Sequence, residues 1–188
     1  MNFLDLVIQR QSVRKYSGTP VSREKLYRCC EAARLAPSAS NSQPWTFIIV
    51  DQPGLRDKVA SHTFNKILPL NKFVVEASAL VVIVIEKPRV ITRLGGFIKN
   101  REFPLIDIGI ASVHFCLQAT EDGLGTCMLG WFNETAIKKL LAIPGSKRIG
   151  LIISVGYAPE GYKIRNKIRK PFDEVVRDNH YKIYLSSK

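Results

Sequence analysis

Ala36-Pro37-Ser38-Ala39-Ser40-Asn41-Ser42-Gln43-Pro44-Trp45 sets two prolines, three serines, an asparagine and a glutamine between a helical pattern and an apolar strand. The residues before Pro37 and Pro44 are pushed toward extended backbone, so the helix is predicted to stop near Ala36 and the strand to begin after Pro44. What lies between is short, stiff and full of small hydroxyl and amide groups. Such a segment lets main-chain groups come close to a flat, heteroatom-rich ligand. It also suits a plain polar connector whose Ser and Asn only close turns, and local chemistry alone leaves both readings open.

Working outward, the helix that delivers this turn is predicted to be capped by Ser22, with Val21 and Leu26 as a hydrophobic staple and a buried stripe of Leu26, Cys29, Cys30 and Ala33. Before it, Leu4, Val7 and Ile8 recur at helical spacing behind a possible Asn2 cap. That first helix runs into Arg10, Ser12 and Arg14, where guanidiniums and a hydroxyl can converge on a phosphate. Cations at a helix end also simply complement its dipole.

Downstream, 45–50 reads as a strand, 53–63 as a surface helix started by Asp51, and 79–85, apolar at every position, as a central strand covered on both faces. The basic, glycine-containing stretch 88–103 is read as a surface excursion, a candidate lid. Asp107 is expected to cap a long apolar helix that closes at Gly123, with His114 as a satisfied core histidine. A strand at 124–131 ends in Gly130, which lets backbone approach a ligand edge. Asn133 or Glu134 starts a short helix, and 149–157 is another apolar strand. In 163–171 basic residues alternate, so in extended backbone they share a side fit to grip a phosphate, or form an ordinary solvated charge run. Residues 181–185 are read as an edge strand for this sheet or a partner's.

The 188 residues suit one domain, 1–188, with 46% hydrophobic and 23% charged residues. Against 28 Lys and Arg stand 16 Asp and Glu, a net charge of +12, which favours phosphorylated or polyanionic partners without specifying nucleic acid. Four cysteines without C-x-x-C spacing argue against zinc, and no metal is expected. The N-terminus does not read as a secretory signal and the longest apolar run, 77–85, is too short for a membrane span, so a cytoplasmic protein with reduced thiols is expected. No G-x-G-x-x-G opens a helix, which argues against a Rossmann dinucleotide site.

Arg10-Gln11-Ser12-Val13-Arg14-Lys15-Tyr16 followed by Ala36 to Trp45 resembles the flavin-dependent nitroreductase family, whose members carry R-x-S-x-R-x-[FY] and then A-P-S-x-x-N-x-Q-P-W. The resemblance covers essentially the whole chain. It implies an α+β fold with a mainly antiparallel central sheet flanked by helices, an intertwined homodimer with two interface sites, and tightly bound FMN. Carried over residue by residue, it places Arg10, Gln11, Ser12 and Arg14 at the phosphate, ribityl and pyrimidine side, with Lys167 and Arg169 completing the phosphate clamp. Pro37, Ser38, Ala39 and Asn41 would reach the flavin from the neighbouring subunit, Leu129 and Gly130 would offer backbone at flavin N5 and O4, and Asn71 would be a pyrimidine-edge amide. Gln11 departs from the histidine or arginine frequent at its position.

The implied activity is ping-pong hydride transfer from NAD(P)H through flavin N5 to a nitroaromatic, quinone or similar small acceptor, with no side-chain acid or base required and Arg14 supporting N1 and O2. Two alternatives stand beside it. One is a basic nucleic-acid or anionic-surface binder, which would interleave aromatics with its cations more than this tail does. The other is a flavin-using relative with dehalogenase-like or flavin-destructase-like chemistry.

Overall fold

The computed structural model describes residues 2–65, 69–87 and 101–181. Its frame is a sheet of β1 (Trp45–Val50), β2 (Ala79–Ile85), β3 (Gly125–Leu129) and β4 (Arg148–Gly156), ordered β1-β2-β4-β3. Every neighbouring pair is antiparallel, with Trp45 opposite Ile85, Ala79 opposite Val155 and Gly125 opposite Gly156. The α+β, antiparallel-sheet expectation is met.

Strand β2 shows why the sheet needs two helical layers. Alternate side chains of a strand face opposite ways, and Val81 and Ile83 join one core while Leu80, Val82 and Val84 join the other. The first core is closed by α2 (Arg23–Arg34) and α4 (Phe103–Glu121) through Leu26, Cys29, Ala33, Ile108, Ala111 and Phe115. The second is closed by α3 (Pro53–Ser61), by α5 (Glu134–Leu140) and by Val13 and Tyr16 of the N-terminal segment. Ser22 caps α2 by accepting the Lys25 N–H, and Val21 and Leu26 are both buried, as a staple requires. Asn2 caps α1 (Phe3–Gln9) and Asn133 caps α5 in the same way.

Two expected caps are corrected. Asp51 does not start α3. It pairs with Arg23 at 2.6 and 3.0 Å, and Gln52 precedes a helix begun by Pro53, whose fixed φ suits that position. Asp107 does not start α4 either. The helix begins at Phe103 with a proline in its first turn, so Asp107 lies inside it and is 3% exposed. The last residue of the expected 88–103 excursion therefore belongs to a helix, while 88–100 lie outside the described residues, as do 182–185 of the expected edge strand. Helix α4 has the length and mean hydropathy, 1.3, of a membrane span, but its Ile108, Ala111, Phe115 and Ala119 are core.

Helix α1 buries none of its residues, and Phe3, Leu4 and Ile8 are exposed together with Ile106 and Val113 of α4. Beyond β4 the chain forms no helix or strand until α6 (Phe172–Val175), and residues 163–166 and 168–171 are exposed.

Candidate functional site

The N-terminal segment after α1 lies against the β3 edge of the sheet. Val13 N–H donates to Thr126 O at 2.9 Å and Ser12 bridges Thr126 in parallel register. This approach requires glycine beneath it: a Cβ on Gly125 would stand 2.7 Å from Val13 Cγ2, and one on Gly156 would stand 2.8 Å from the Tyr16 ring. Tyr16 is then locked from both ends, its hydroxyl on Ser154 at 2.8 Å and its N–H on Glu76 at 3.1 Å.

The basic tail returns to this segment. Gln11 donates to Lys163 O at 3.2 Å and accepts from the Arg165 backbone N–H and Nε. Arg165 also donates to Ser12 O, Lys167 to Arg10 O, and Arg14 N–H to the Tyr162 hydroxyl at 3.2 Å. Early and late segments thereby enclose a recess of about 390 Å³ lined by Arg10, Gln11, Ser12, Arg14, Arg165, Asn166, Lys167, Ile168 and Arg169. Six expected site residues, 10, 11, 12, 14, 167 and 169, meet there.

The recess is electrostatically one-sided. Among the described residues no carboxylate forms an ion pair with Arg10, Arg14, Arg165, Lys167 or Arg169. Burial and then the neighbouring guanidiniums of Arg10, Arg169 and Arg165 hold the Lys167 ammonium below the usual lysine range. Beneath them, burial pushes the Cys127 thiol up against the opposing pull of Arg14, the Ser12 hydroxyl, Arg165 and Arg10. Cations gathered this way suit an anion with several acceptor oxygens, the chemistry of a phosphate monoester.

From Thr126, beside Ser12, β3 carries the backbone roughly 13 Å to Gly130. Gly130 is exposed, and a Cβ there would meet nothing within 4 Å, so a ligand can approach it from that side. Leu129 is buried. An elongated ligand with its phosphate in the recess could thus lie along the strand toward Gly130. Asn71 stands near the same end, but its Nδ2 already donates to Thr63 O at 3.0 Å and to Trp131 O at 3.1 Å, leaving Oδ1 as the group it could offer.

Pro37, Ser38, Ala39 and Asn41 do not line the recess of their own chain. They form a tight turn around a short 3-10 segment, Ala39–Asn41. Ser38 Oγ accepts the Gln43 N–H at 2.9 Å, Asn41 Oδ1 accepts Gln43 Nε2 at 2.9 Å, and Ala39 N–H donates to Asp107 Oδ1 at 3.0 Å. Ser40, Asn41 and Gln43 have φ of 50, 51 and 48°, the left-handed region that costs side-chain-bearing residues on the order of 1 kcal/mol each. Trp45, just past the turn, is core.

Sequence reasoning did not single out Arg165, Tyr162 or Asp107 for the site. Arg165 had a signal, since it stands in the alternation of Lys163, Arg165, Lys167 and Arg169. Tyr162 and Asp107 had none, because their contacts join segments far apart in the chain. Among the described residues no group of three or more His, Cys, Asp or Glu could hold a metal.

A family profile described as the nitroreductase family matches residues 7–72 and 68–157, which takes in the N-terminal half of the recess, the turn and Gly130 but not the tail. Among curated relatives, the oxygen-insensitive NADPH nitroreductase of Helicobacter acinonychis is 26% identical over 186 residues, covering 82% of this chain and 85% of that protein. Among solved structures, a nitroreductase family protein from Clostridium novyi NT is 30% identical with a TM-score of 0.72, covering 85% of this chain and 87% of its own. An FMN-dependent nitroreductase from Clostridium difficile is 26% identical with a TM-score of 0.77, covering 95% of this chain and all of that one, 100%. The chain belongs to the nitroreductase family.

Proposed function

We propose that the protein is an FMN-dependent oxidoreductase in which NAD(P)H and an oxidised small acceptor, a nitroaromatic or quinone, use one site in turn. The observation that carries this is the cluster of cations between the two arms, unpaired with any carboxylate among the described residues and set beside a strand that runs out to the exposed Gly130. One structural relative described as FMN-dependent and one curated relative described as an NADPH nitroreductase agree with it. FMN bound there supplies hydride acceptance and release at its ring N5.

The chain's own part is binding, orientation and charge. Arg10, Lys167 and Arg169, joined by Arg165, grip the phosphate, while Gln11 and Ser12 tie the tail down and face the ribityl side. The Arg14 guanidinium stabilises negative charge at the N1 and O2 edge. Leu129 and Gly130 offer backbone toward N5 and O4, and Asn71 offers Oδ1 toward the pyrimidine. No side-chain acid or base is needed for hydride transfer.

The protein acts as an intertwined homodimer, a reading supported by the uncovered apolar residues of α1, α4 and the tail. In it Pro37, Ser38, Ala39 and Asn41 of one subunit face the flavin of the other. The single domain 1–188 works in the cytoplasm, where the four thiols stay reduced.

The test is spectroscopic. Protein supplied with excess FMN and then desalted should keep a flavin spectrum that bleaches on anaerobic NAD(P)H and returns on addition of a quinone. In Arg14→Ala the bleaching should slow at least about tenfold while the sheet stays folded, as expected for one lost charge-assisted contact. Colourless protein after desalting would overturn the proposal.

A further inference from the structure

Helix α4 buries a carboxylate in a stretch whose neighbours Ile108, Ala111 and Phe115 are core. Asp107 is 3% exposed, and none of the ion pairs among the described residues involves it. Its Oδ1 accepts the Ala39 N–H at 3.0 Å, while Oδ2 is buried without a hydrogen-bond partner among the described residues. A carboxylate held out of water with one oxygen unmet destabilises the fold. Aspartate is also a poor choice inside a helix. Folding alone therefore does not account for it, and the bond it makes is where its use lies.

At the other end of that bond stands the turn 37–43. Left-handed backbone at three side-chain-bearing sites within four residues, Ser40, Asn41 and Gln43, persists only where surrounding contacts hold it. The bonds from Gln43 to Ser38 and Asn41 tie the turn to itself. The bond to Asp107 ties it to a rigid helix across 68 residues of sequence.

We propose that Asp107 is the positioning residue of the turn: its carboxylate fixes where Ala39 sits and so presents Pro37 to Asn41 to the flavin of the neighbouring subunit. This rests on the flavin reading above and extends it to a buried residue that no cofactor role had covered. Asparagine at 107 keeps an acceptor oxygen, whereas alanine removes it. Ala39→Pro removes the donor from the other side. Ser38 already has the extended φ of −145° and ψ of 156° that a residue before proline needs, so the variant does not force residue 38 out of its present backbone.

The full-length protein, stripped of flavin, is titrated with FMN for wild type, Asp107→Ala, Asp107→Asn, Ala39→Pro and the Asp107→Ala/Ala39→Pro double variant. Hydrogen–deuterium exchange is followed over 39–43 and over β2. Asp107→Ala and Ala39→Pro should each weaken FMN about tenfold, the double no more than either single, and Asp107→Asn by less than about twofold. Exchange over 39–43 should rise in the Ala and Pro variants alone, with β2 unchanged. An unaltered FMN affinity in Asp107→Ala, additive losses in the double variant, or no rescue by asparagine overturns the proposal. Should Asp107→Ala not fold, Ala39→Pro against Asp107→Asn reads the same bond. Should wild type bind no FMN, the flavin reading has failed instead, and exchange over 39–43 alone decides whether Asp107 holds the turn.

Discussion

Replacing Lys167 by methionine keeps the length of the side chain and removes its charge from the recess. At present the ammonium donates to Arg10 O and shares the recess with Arg10, Arg14, Arg165 and Arg169. Its pKa lies below the ordinary lysine value of 10.5, through burial first and the guanidiniums second. The unfolded chain thus binds more protons between the folded and ordinary values, stability rises with pH through that window, and the full penalty stands at neutral pH. Lys167→Met removes that penalty, so the melting temperature of the flavin-free protein should not fall. Affinity for FMN moves the other way: one charge-assisted hydrogen bond to phosphate is worth about 1.5–3 kcal/mol, a rise in Kd of roughly ten- to hundredfold. Riboflavin, which lacks the phosphate, should bind the variant as it binds wild type. Quenching of flavin fluorescence on titration with each ligand measures both, and the FMN loss should shrink in high salt because the tail is exposed. Parallel weakening of FMN and riboflavin, or no weakening of FMN, refutes the placement of the phosphate between the arms.

Two further substitutions test the frame. Gly125→Ala puts a Cβ 2.7 Å from Val13 Cγ2, which displaces residues 12–14 from β3; FMN affinity should fall by at least about tenfold and the melting temperature with it, as overpacking typically costs about 1–3 kcal/mol. The hydrogen bond from Lys147 holds the Glu86 carboxyl below its ordinary range. A depressed carboxyl stabilises the fold above its ordinary pKa and loses that contribution as pH falls through the folded value. Lys147→Ala should therefore flatten the acid side of a melting-temperature profile below about pH 5, by no more than about 1 kcal/mol for so accessible a pair.

The sheet and its helices were legible because their signals are local. Val81 and Ile83 against Leu80, Val82 and Val84 make an unbroken apolar run that only a doubly covered strand can use. Ser22, Asn2 and Asn133 announce helix starts through side chains that accept a hydrogen bond three residues on. Asp51 and Asp107 carry the same local signal and mean something else, because Arg23 and Ala39 compete for their oxygens from distant parts of the chain. The resemblance to a family supplied most of the site, and the structure brought residues 10, 11, 12 and 14 to 167 and 169. Arg165 was read only as part of the alternating basic run and not as a site residue, and the engagement of the Asn71 donors could not be read without knowing that Thr63 and Trp131 converge on it.

The two arms of the recess are bonded across 152 to 157 residues, from Gln11 to Lys163 and from Arg10 to Lys167. During synthesis the strands are all available once Gly156 has emerged from the ribosome, while the tail that forms half of the anion-holding wall is still inside it. A nascent chain therefore cannot close both arms on an anion until residues 163–169 have left the ribosome as well.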